Sequence, residues 1–346
     1  MKNPSQVTIC DVAESAGVAP ATVSRVINNH AKISTATVIK VRKVMDSLGY
    51  IPSPVAKRQG PRAKRGRSTS YRVMQVALIS QVNPFLLNTP IYSKVMRGIE
   101  TELGAYYYNM IIRNLPKENP WDALPRKIDG AILFGVYDEP ARLLKELRAM
   151  PCVRIMGSPP DNDFFDHVTY NSSSVGRLAA EYLIKKGHRN IAYIGSDDRV
   201  AYVSRHVAFA NVMKTSECVY HELINNNLLD ESNDMQLPNV REISEIIEKI
   251  KVFPEMPTAI YAPADTIVIG LYHTLPHFGI TPGKDIEIIG VNNDAIFLNN
   301  FKPRPASIDI HPEKIGKEAV KRLLWRINNP KEPLIKLELE PELAFS

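Results

Sequence analysis

The sequence predicts an α plus α/β protein, with an N-terminal three-helix headpiece of the helix–turn–helix type followed by a two-lobed α/β core. Residues 7–50 carry three short helical patterns, each bounded by residues that cap or end helices. From Val73 onward, apolar strands alternate with amphipathic helices, which is the pattern of parallel sheets built from right-handed crossovers. At roughly 100–200 residues per domain, a chain of 346 residues has room for the headpiece and two consecutive open sheets.

Cap residues predict the three helices of the headpiece. Thr8 caps the first helix, with Asp11 placed three residues on to reach back toward free amides, and Gly17 ends it. The second helix starts near Pro20, because proline suits the first helical position, and Ser34 caps the third. Gly49 is expected to end the third helix. The predicted core-facing residues are Ile9, Val12, Ala13, Ala16, Val23, Val26, Ile27, Val38, Val41, Met45 and Leu48.

The alternating pattern of the core predicts seven strands and seven helices. The predicted strands are Val73–Ser80, Tyr107–Ile112, Gly130–Phe134, Cys152–Met156, Asn190–Ile194, Thr258–Tyr261 and Glu287–Gly290. The predicted helices are Ile91–Leu103, Pro140–Met150, Ser174–Lys186, Ala201–Lys214, Arg241–Lys251, Asp265–Phe278 and Glu313–Asn328. Open parallel sheets bind ligands beyond the carboxyl ends of their strands, so a binding site is expected there.

The charge is divided unevenly along the chain. The net charge of +6 conceals 13 basic against three acidic side chains in residues 1–72, and a small acidic excess in the remainder. This division indicates a basic nucleic-acid or membrane-binding arm on an ordinary body. The predicted domains are a DNA-binding headpiece (residues 1–52), a basic hinge or linker (53–72) and a core (73–346).

Several classes of protein are excluded by what the sequence lacks. The N-terminal residues have no apolar signal region, and no apolar run is long enough to span a membrane, so a cytoplasmic protein is expected. Three widely spaced cysteines argue against a disulfide framework or a cysteine-based zinc site. No phosphate-binding glycine-rich loop and no nucleophile elbow is present, so neither an enzyme nor a bound metal or cofactor is expected.

The strongest motif runs from Val7 to Val18 and continues through Ala19, Pro20 and on to Asn28. Over roughly fifty consecutive positions, through Tyr50 and the segment Ile51–Ala56, this part of the chain closely resembles the headpiece of the lactose-repressor (LacI/GalR) family of bacterial transcription regulators. The likeness continues at lower density through the core. It implies a periplasmic-binding-protein-like pair of lobes with a small effector between them, and a core that also dimerises.

The resemblance also implies which residues bind DNA. The family reads bases with the start of the second helix, which here carries Pro20, Ala21, Thr22 and Arg25. Arg25 can bond guanine O6 and N7, whereas Pro20 and Ala21 offer apolar contact only. The expected phosphate contacts are Thr8, Ser24, Asn28, Asn29 and His30. For Thr8 and Ser24, helix capping or packing is the alternative role. Ala19 departs from the serine usual in the family, which removes a helix cap.

The hinge departs further from the family pattern. Family members fold a short helix here on the operator and wedge a leucine into the central minor groove. In this chain the corresponding segment is Val55, Ala56, Lys57, Arg58 and Gln59, followed by Gly60 and Pro61. Gln59 is not an apolar wedge, and the Gly-Pro pair limits the helix to about two turns. The sequence therefore predicts electrostatic contact with the operator's centre in place of intercalation.

The effector site implied by the resemblance comprises Phe85, Arg205, Asp265 and Asn292. Arg205 occupies the place of the family's effector-binding arginine, and Phe85 retains an apolar wall. Ala264 stands where asparagine is expected and Asn292 where aspartate is expected, so the pocket is poorer in hydrogen-bond acceptors than a sugar site needs. A sugar-like effector is favoured, and loss of effector response is the alternative.

The sequence thus predicts a homodimeric repressor that binds a near-palindromic double-stranded operator and responds to a small molecule. A solute-binding protein is the alternative from another class, since the lobes resemble sugar carriers, but the headpiece argues against it. An enzyme with a fused DNA-binding arm would need a reactive constellation that the sequence lacks.

Overall fold

The computed structural model describes residues 7–27, 33–48, 50, 75–80, 89–106, 108–114, 128–135, 141–157, 163–197, 200–228 and 239–344. Contacts divide the chain into two compact units, residues 1–75 with 103–109, and residues 76–102 with 110–346. The predicted domain boundaries at residues 52 and 72 lie outside the described residues and stay predictions.

The described residues of the first unit include the helices α1 (Ile9–Ala16), α2 (Pro20–Ile27) and α3 (Thr35–Ser47). The predicted cap of α1 is confirmed: the Thr8 amide donates to the Asp11 carboxylate at 2.8 Å, and the Asp11 amide donates to the Thr8 hydroxyl at 3.3 Å. Gly17 ends this helix in the left-handed conformation, with φ of 60°. Ser34 caps α3 through a hydrogen bond from the Thr37 amide.

One apolar core joins the three helices. Val12, Val23 and Val41, one from each helix, are fully buried, and the other residues predicted to face this core also pack in it. Helix–helix contacts of this kind hold α2 against α1 and α3, so the orientation of α2 is set by the whole bundle.

Within the described residues, twelve strands form two six-stranded sheets. The first sheet has the order β11-β5-β4-β3-β1-β2 and the second β12-β10-β9-β8-β6-β7. The strands are β1 (Gln75–Ser80), β2 (Asn109–Asn114), β3 (Gly130–Phe134), β4 (Cys152–Ile155), β5 (Asp166–Tyr170), β6 (Asn190–Gly195), β7 (Val219–Ile224), β8 (Ala259–Tyr261), β9 (Glu287–Val291), β10 (Ala306–Asp309), β11 (Lys336–Leu339) and β12 (Glu342–Ala344).

In the part of the core that the structure describes, eight helices accompany the strands. They are α4 (Pro90–Ala105), α5 (Ala141–Arg148), α6 (Ser172–Lys185), α7 (Val200–Thr215), α8 (Val240–Lys251), α9 (Asp265–Thr274), α10 (Ala295–Leu298) and α11 (Pro312–Asn328). The predicted helix Asp265–Phe278 changes to a 3₁₀ turn at Leu275. Pro276 explains the change, because it has no N–H to donate to the α-helical ladder.

The prediction of seven strands is wrong by five. The strands that it missed are β5, β7, β10, β11 and β12. The β5 segment Asp166–Tyr170 is completely buried although it contains Asp166, His167 and Thr169, so it lacks the apolar run that indicates a buried strand. The other four are sheet-edge or very short strands with weak patterning.

The chain passes between the two sheets three times. After β5, helix α6 leads into the second sheet. After β10, helix α11 returns to the first sheet and packs on β3, β4 and β5. Finally, β11 in the first sheet is followed by β12 in the second. We call the first sheet with α5 and α11 the first lobe, and the second sheet with α6 to α10 the second lobe. The β10–β12 pair is antiparallel, and the pairs β1–β3, β3–β4, β4–β5, β5–β11, β6–β7, β6–β8, β8–β9 and β9–β10 are parallel.

None of the helices within the described ranges combines the length and the apolar character needed to cross a bilayer. In the same ranges, no group of three or more His, Cys, Asp or Glu side chains is arranged to hold a metal ion.

Candidate nucleic-acid interface and effector cleft

Helix α2 presents one exposed side and one apolar, buried side. Val23, Val26 and Ile27 are buried in the headpiece core. Pro20, Ala21 and Arg25 are exposed, and Thr22 and Ser24 are partly exposed. In a helix, positions 21 and 25 lie one above the other, next to 20 and 24. The structure therefore brings together the residues predicted to read and position DNA on this helix.

Thr8 lies at the start of α1, where it is exposed. Its hydroxyl also donates to the Asp11 carboxylate at 2.6 Å, so the capping role is present. Contact of Thr8 with a phosphate stays a prediction. At the start of α2, the Ala19 carbonyl accepts from the amides of Thr22 and Val23, but alanine supplies no side-chain oxygen to cap the helix.

The remaining predicted DNA contacts lie outside the described residues. These are Asn28, Asn29, His30, Val55, Ala56, Lys57, Arg58 and Gln59. The predicted absence of a central wedge therefore stays a prediction. Phe85, the predicted apolar wall of the effector site, is also outside the described residues.

Arg205 lies on α7 and is buried, with 3% of its surface exposed. It donates to the Tyr170 hydroxyl at 2.7 Å and to the Pro263 carbonyl, which joins α7 to the ends of β5 and β8. Its Nε has no hydrogen-bond partner among the described residues. Two of the arginine's three nitrogens are thus already engaged by the protein.

Phenol side chains surround this arginine. The rings of Tyr170 and Tyr202 lie 5.3 and 5.6 Å from the guanidinium carbon. Behind them, the Tyr193 and Tyr261 rings lie 5.6 Å apart, and their buried hydroxyls have no hydrogen-bond partner in the described part of the chain. Burial raises the pKa of Tyr261, which keeps this phenol neutral. Sequence reasoning missed these tyrosines, because only the folded sheets bring them to Arg205.

Asp265, at the start of α9, is fully buried and bonded within the protein. It accepts from the Ser307 hydroxyl at 2.8 Å and from the Asp294 amide at 2.8 Å. Burial first, and the nearby Asp294 carboxylate second, raise the pKa of Asp265 well above its ordinary value. Asp265 therefore braces the start of α9 against β10 and the segment after β9. Its contact with an effector stays a prediction.

Asn292 follows β9 directly, with φ of 112°, and is 6% exposed. Its amide donates to the Ile308 carbonyl at 2.8 Å, and its side-chain oxygen is buried without a hydrogen-bond partner among the described residues. Asn292, Pro263 and Tyr170 each lie at the carboxyl end of a parallel strand, which is where such sheets bind ligands. The structure thus places three of the four predicted effector residues at the carboxyl edge of the second sheet.

Comparison with known proteins identifies both parts of the chain. A family model described as bacterial regulatory proteins, lacI family, matches residues 8–53. A second, described as periplasmic binding protein-like domain, matches residues 180–345. The chain is 29% identical to the HTH-type transcriptional repressor PurR of Vibrio atlanticus (strain LGP32), over 97% of both chains. It is 26% identical to the protein of the same name from Pectobacterium carotovorum subsp. carotovorum (strain PC1), over 97% of this chain and 95% of the relative.

Solved structures share the fold. The complex of the transcriptional regulator CelR with cellobiose aligns with a TM-score of 0.64 at 23% identity, over 98% of this chain and 99% of that one. The lac repressor dimer bound to operator and the anti-inducer ONPF aligns with a TM-score of 0.65 at 20% identity, over 98% of each chain. A LacI family regulator from Enterococcus faecium with bound ribose has a TM-score of 0.63 at 21% identity, over 78% of this chain and 97% of that one.

The match over residues 8–53 agrees with the helix–turn–helix unit, and the match over residues 180–345 agrees with the two-sheet core. The relatives extend over nearly the whole chain and therefore include both parts. The headpiece matches the lacI family of bacterial regulatory proteins, and the chain is a LacI-type DNA-binding transcriptional regulator and not an enzyme.

Proposed function

We propose that this regulator is a repressor that binds a near-palindromic operator as a homodimer and is modulated by a small-molecule effector. The observation that carries the proposal is the exposed side of α2, with Pro20, Ala21 and Arg25 directed away from a well-packed headpiece core. The curated relatives named above are repressors, which supports repression as the outcome of binding.

Base reading depends on Arg25 in this proposal. A guanidinium can donate two parallel hydrogen bonds to guanine O6 and N7, whereas Pro20 and Ala21 can only make apolar contact, for instance with a thymine methyl group. Phosphate contacts from Thr8, Ser24, Asn28, Asn29 and His30, and from the hinge segment Val55–Gln59, would position the headpiece without reading sequence.

Replacing Arg25 with alanine is expected to weaken specific operator binding by about 5- to 140-fold per half-site, because a bidentate arginine–guanine pair is worth about 1–3 kcal/mol of discrimination. Binding to unrelated DNA should change little. The measurement is a titration of operator and of scrambled DNA at one fixed salt concentration.

Lys43→Ala provides the matched control, because Lys43 is an exposed basic residue of the headpiece that belongs to α3 and not to α2. Loss of this charge should weaken binding to the operator and binding to scrambled DNA by the same small factor. If Arg25→Ala retains the operator preference of the wild-type protein, the proposed reading role of α2 is wrong.

Dimerisation is supported by uncovered apolar surface on the second lobe. Val203 and Val207 are exposed on one side of α7, with 52% of Val207 accessible. Val219 is 54% exposed on β7, the edge strand of the second sheet. His206 of α7 contacts the Tyr220 hydroxyl of β7, so this helix packs beside the edge strand. Exposed apolar side chains beside an open sheet edge suit contact with a second copy, which two-fold operator symmetry also requires.

A sugar-like effector is favoured because two proteins of the same fold hold sugars, the CelR regulator with cellobiose and the Enterococcus faecium regulator with ribose. The effector would lie at the carboxyl edge of the strands, near Arg205, Asp265 and Asn292, with Phe85 as an apolar wall. There it could accept hydrogen bonds from the Arg205 Nε and from the Tyr193 and Tyr261 hydroxyls, which lack partners among the described residues.

Selection of bound sequences from a random DNA pool, with and without a panel of sugars and nucleobases, tests the proposal as a whole. A two-fold symmetric consensus, enriched by a protein that sediments as a dimer, is the expected result. Selection of no consensus, or of an asymmetric one by a monomer, would contradict it.

A regulator without small-molecule response is a second candidate, favoured by the state of Arg205. Its two terminal nitrogens already donate to Pro263 and Tyr170, so an effector would have to share the guanidinium with the protein or displace these bonds. Calorimetry against the same panel separates the two candidates, because any clear binding heat removes the second.

A further inference from the structure

The short segment after β9 forms a compact group of backbone acceptors. Asn292 and Asn293 both have positive φ, 112° and 49°, a conformation that non-glycine residues adopt only when their surroundings impose it. Here the second lobe imposes it. The Asn293 amide donates to the Ser307 hydroxyl at 3.0 Å. The Asn293 side chain donates to Asp309 at 3.0 Å and accepts from Arg304 at 2.8 Å. The Asp294 amide donates to Asp265.

A lysine from outside the second lobe reaches these acceptors. The Lys94 ammonium donates to the Asn293 carbonyl at 2.8 Å and to the Asn292 carbonyl at 3.3 Å, and it lies 3.4 Å from the Asp294 carboxylate. An ammonium has three donors in a compact arrangement, so these three acceptors occupy all of them. Nothing in local sequence patterning indicates the contact, since Lys94 and Asn293 are 199 residues apart.

The helix that carries Lys94 is fixed to the first lobe. A Cβ on Gly98 of α4 would lie 2.1 Å from the Glu313 carbonyl oxygen, and a Cβ on Gly316 of α11 would lie 2.4 Å from the Val95 carbonyl oxygen. The two helices therefore meet backbone to backbone, and α11 in turn packs on β3, β4 and β5. Tyr92, also on α4, packs against Phe134 at the end of β3 with ring centroids 5.4 Å apart.

We infer that Lys94 is an internal tie between the two lobes, which holds them in the arrangement required for operator binding without any bound effector. This regulatory role rests on the proposed function, whereas the tie itself does not. The Lys94 ammonium would then be a fixed cation at the rim of the effector site, and an effector would either oppose it or add to it. The effector could shift the equilibrium between the tied and untied lobe arrangements only by the difference in its affinity for the two.

The chemistry of the acceptors predicts that the tie does not depend on an ion pair. Two of the three acceptors are carbonyl oxygens, which do not titrate. Burial raises the pKa of Asp294 to about 6, although the Lys94 charge lowers it. The other charged groups facing this segment are Asp265, Asp309 and Arg304. Protonation or neutralisation of Asp294 would therefore leave two of the three contacts in place.

The test measures the separation of the lobes directly. Spin labels at Lys145→Cys on α5 and Lys249→Cys on α8, both exposed, report the distance between the lobes by pulsed electron resonance. Cys10 and Cys218 are replaced by serine in the full-length protein, and Cys152 is buried. Lys94→Met is expected to broaden or shift the distance distribution, while Asp294→Asn leaves it as in the wild-type background.

Arg97→Met provides the matched control, because Arg97 lies one turn further along α4 and pairs with Glu313 of the first lobe. It removes an ion pair from the same helix without a contact between lobes, so it should leave the distance unchanged. Lys94→Ala adds a rescue experiment: propylammonium, which replaces the lost carbons and charge, should restore the wild-type distance, and 1-propanol should not.

Operator titration separates the two parts of the inference. Lys94→Met should lower operator affinity by about 2- to 30-fold, the range of effects expected for residues that couple distant sites. An unchanged lobe distance in Lys94→Met would overturn the tie. A changed distance with unchanged operator affinity would overturn its regulatory role, and failure of the wild-type protein to bind any operator would instead contradict the proposed function.

Discussion

Replacing Arg326 with methionine is expected to lower the free energy of unfolding by about 3–5 kcal/mol, because it leaves a buried carboxylate short of its main partner. Asp166 is completely buried at the start of β5. Arg326, on α11, donates to both of its oxygens at 2.8 Å, in the bidentate geometry that makes such pairs strong.

The remaining donors of Arg326 explain why the loss is large. They reach the carbonyls of Asn329, Glu332 and Pro333, which shape the turn into β11. The Asp166 carboxylate also accepts from the Ile335 amide at 2.9 Å. Removal of the guanidinium therefore leaves Asp166 to Arg322 and the Ile335 amide, and it leaves these three carbonyls without this donor.

The dependence of this loss on pH has a definite sign. Burial by itself would raise the pKa of Asp166, but the hydrogen bonds from Arg326, Arg322 and Ile335 outweigh it and hold the pKa below its ordinary value. A depressed pKa means that the stabilisation is present above the unfolded-state pKa of about 4 and disappears as the pH falls through the folded-state value. The difference between wild type and variant should therefore be largest near neutral pH and shrink in acid.

Urea unfolding followed by circular dichroism checks this expectation. Arg177→Met is the control, because Arg177 forms an exposed pair with Glu181 one turn away on α6, and such pairs contribute about 0.3–0.5 kcal/mol. Comparable losses in the two variants would contradict the role assigned to the buried pair.

Replacing Gly176 with alanine should destabilise the second lobe by about 1–3 kcal/mol, because the added carbon has no space. A Cβ at this position would lie 1.9 Å from the Arg205 carbonyl oxygen and 3.0 Å from the Phe209 amide nitrogen. Helices α6 and α7 meet backbone to backbone at this point, so the clash would push apart the two helices and displace Arg205 from Tyr170 and Pro263. The higher helix propensity of alanine, up to about 1 kcal/mol, offsets only part of this effect.

Gly104→Ala is the matched control for Gly176→Ala. Gly104 is also helical, in α4, but a Cβ there would meet nothing within 4 Å. Alanine at this position should leave stability unchanged or raise it by up to about 1 kcal/mol. If unfolding experiments find Gly176→Ala as stable as wild type, the close approach of α6 and α7 is not tight enough to constrain Arg205.

Local chemistry explains which parts of the fold could be predicted from the sequence. The headpiece helices follow from capping residues that act within three positions, so Thr8 and Ser34 indicate where α1 and α3 begin. The strand Gly130–Phe134 matches its prediction at both ends, because its residues are apolar and fully buried. β5 could not be predicted in this way, since Asp166 is satisfied by arginines 156 and 160 residues further along the chain.

The same distinction applies to the candidate sites. The exposed side of α2 could be predicted, because helical periodicity alone separates Arg25 from Val23 and Val26. The position of Arg205 on its helix could also be predicted, but its partners could not. Tyr170 lies 35 residues before it and Pro263 58 residues after it, and only the assembled sheets bring the three together.

The three passages of the chain between the sheets affect the order of events during protein synthesis. The first lobe is encoded discontinuously: β11, at residues 336–339, pairs with β5, and α11 covers β3 to β5. Domains tend to fold in order from the N-terminus as the ribosome produces them, but this lobe stays unfinished until residue 339 has left the exit tunnel. The headpiece, which packs its own core within residues 7–50, can fold long before that. A nascent chain would thus carry a folded headpiece attached to an incomplete core. Truncation before β11 would remove part of the first lobe.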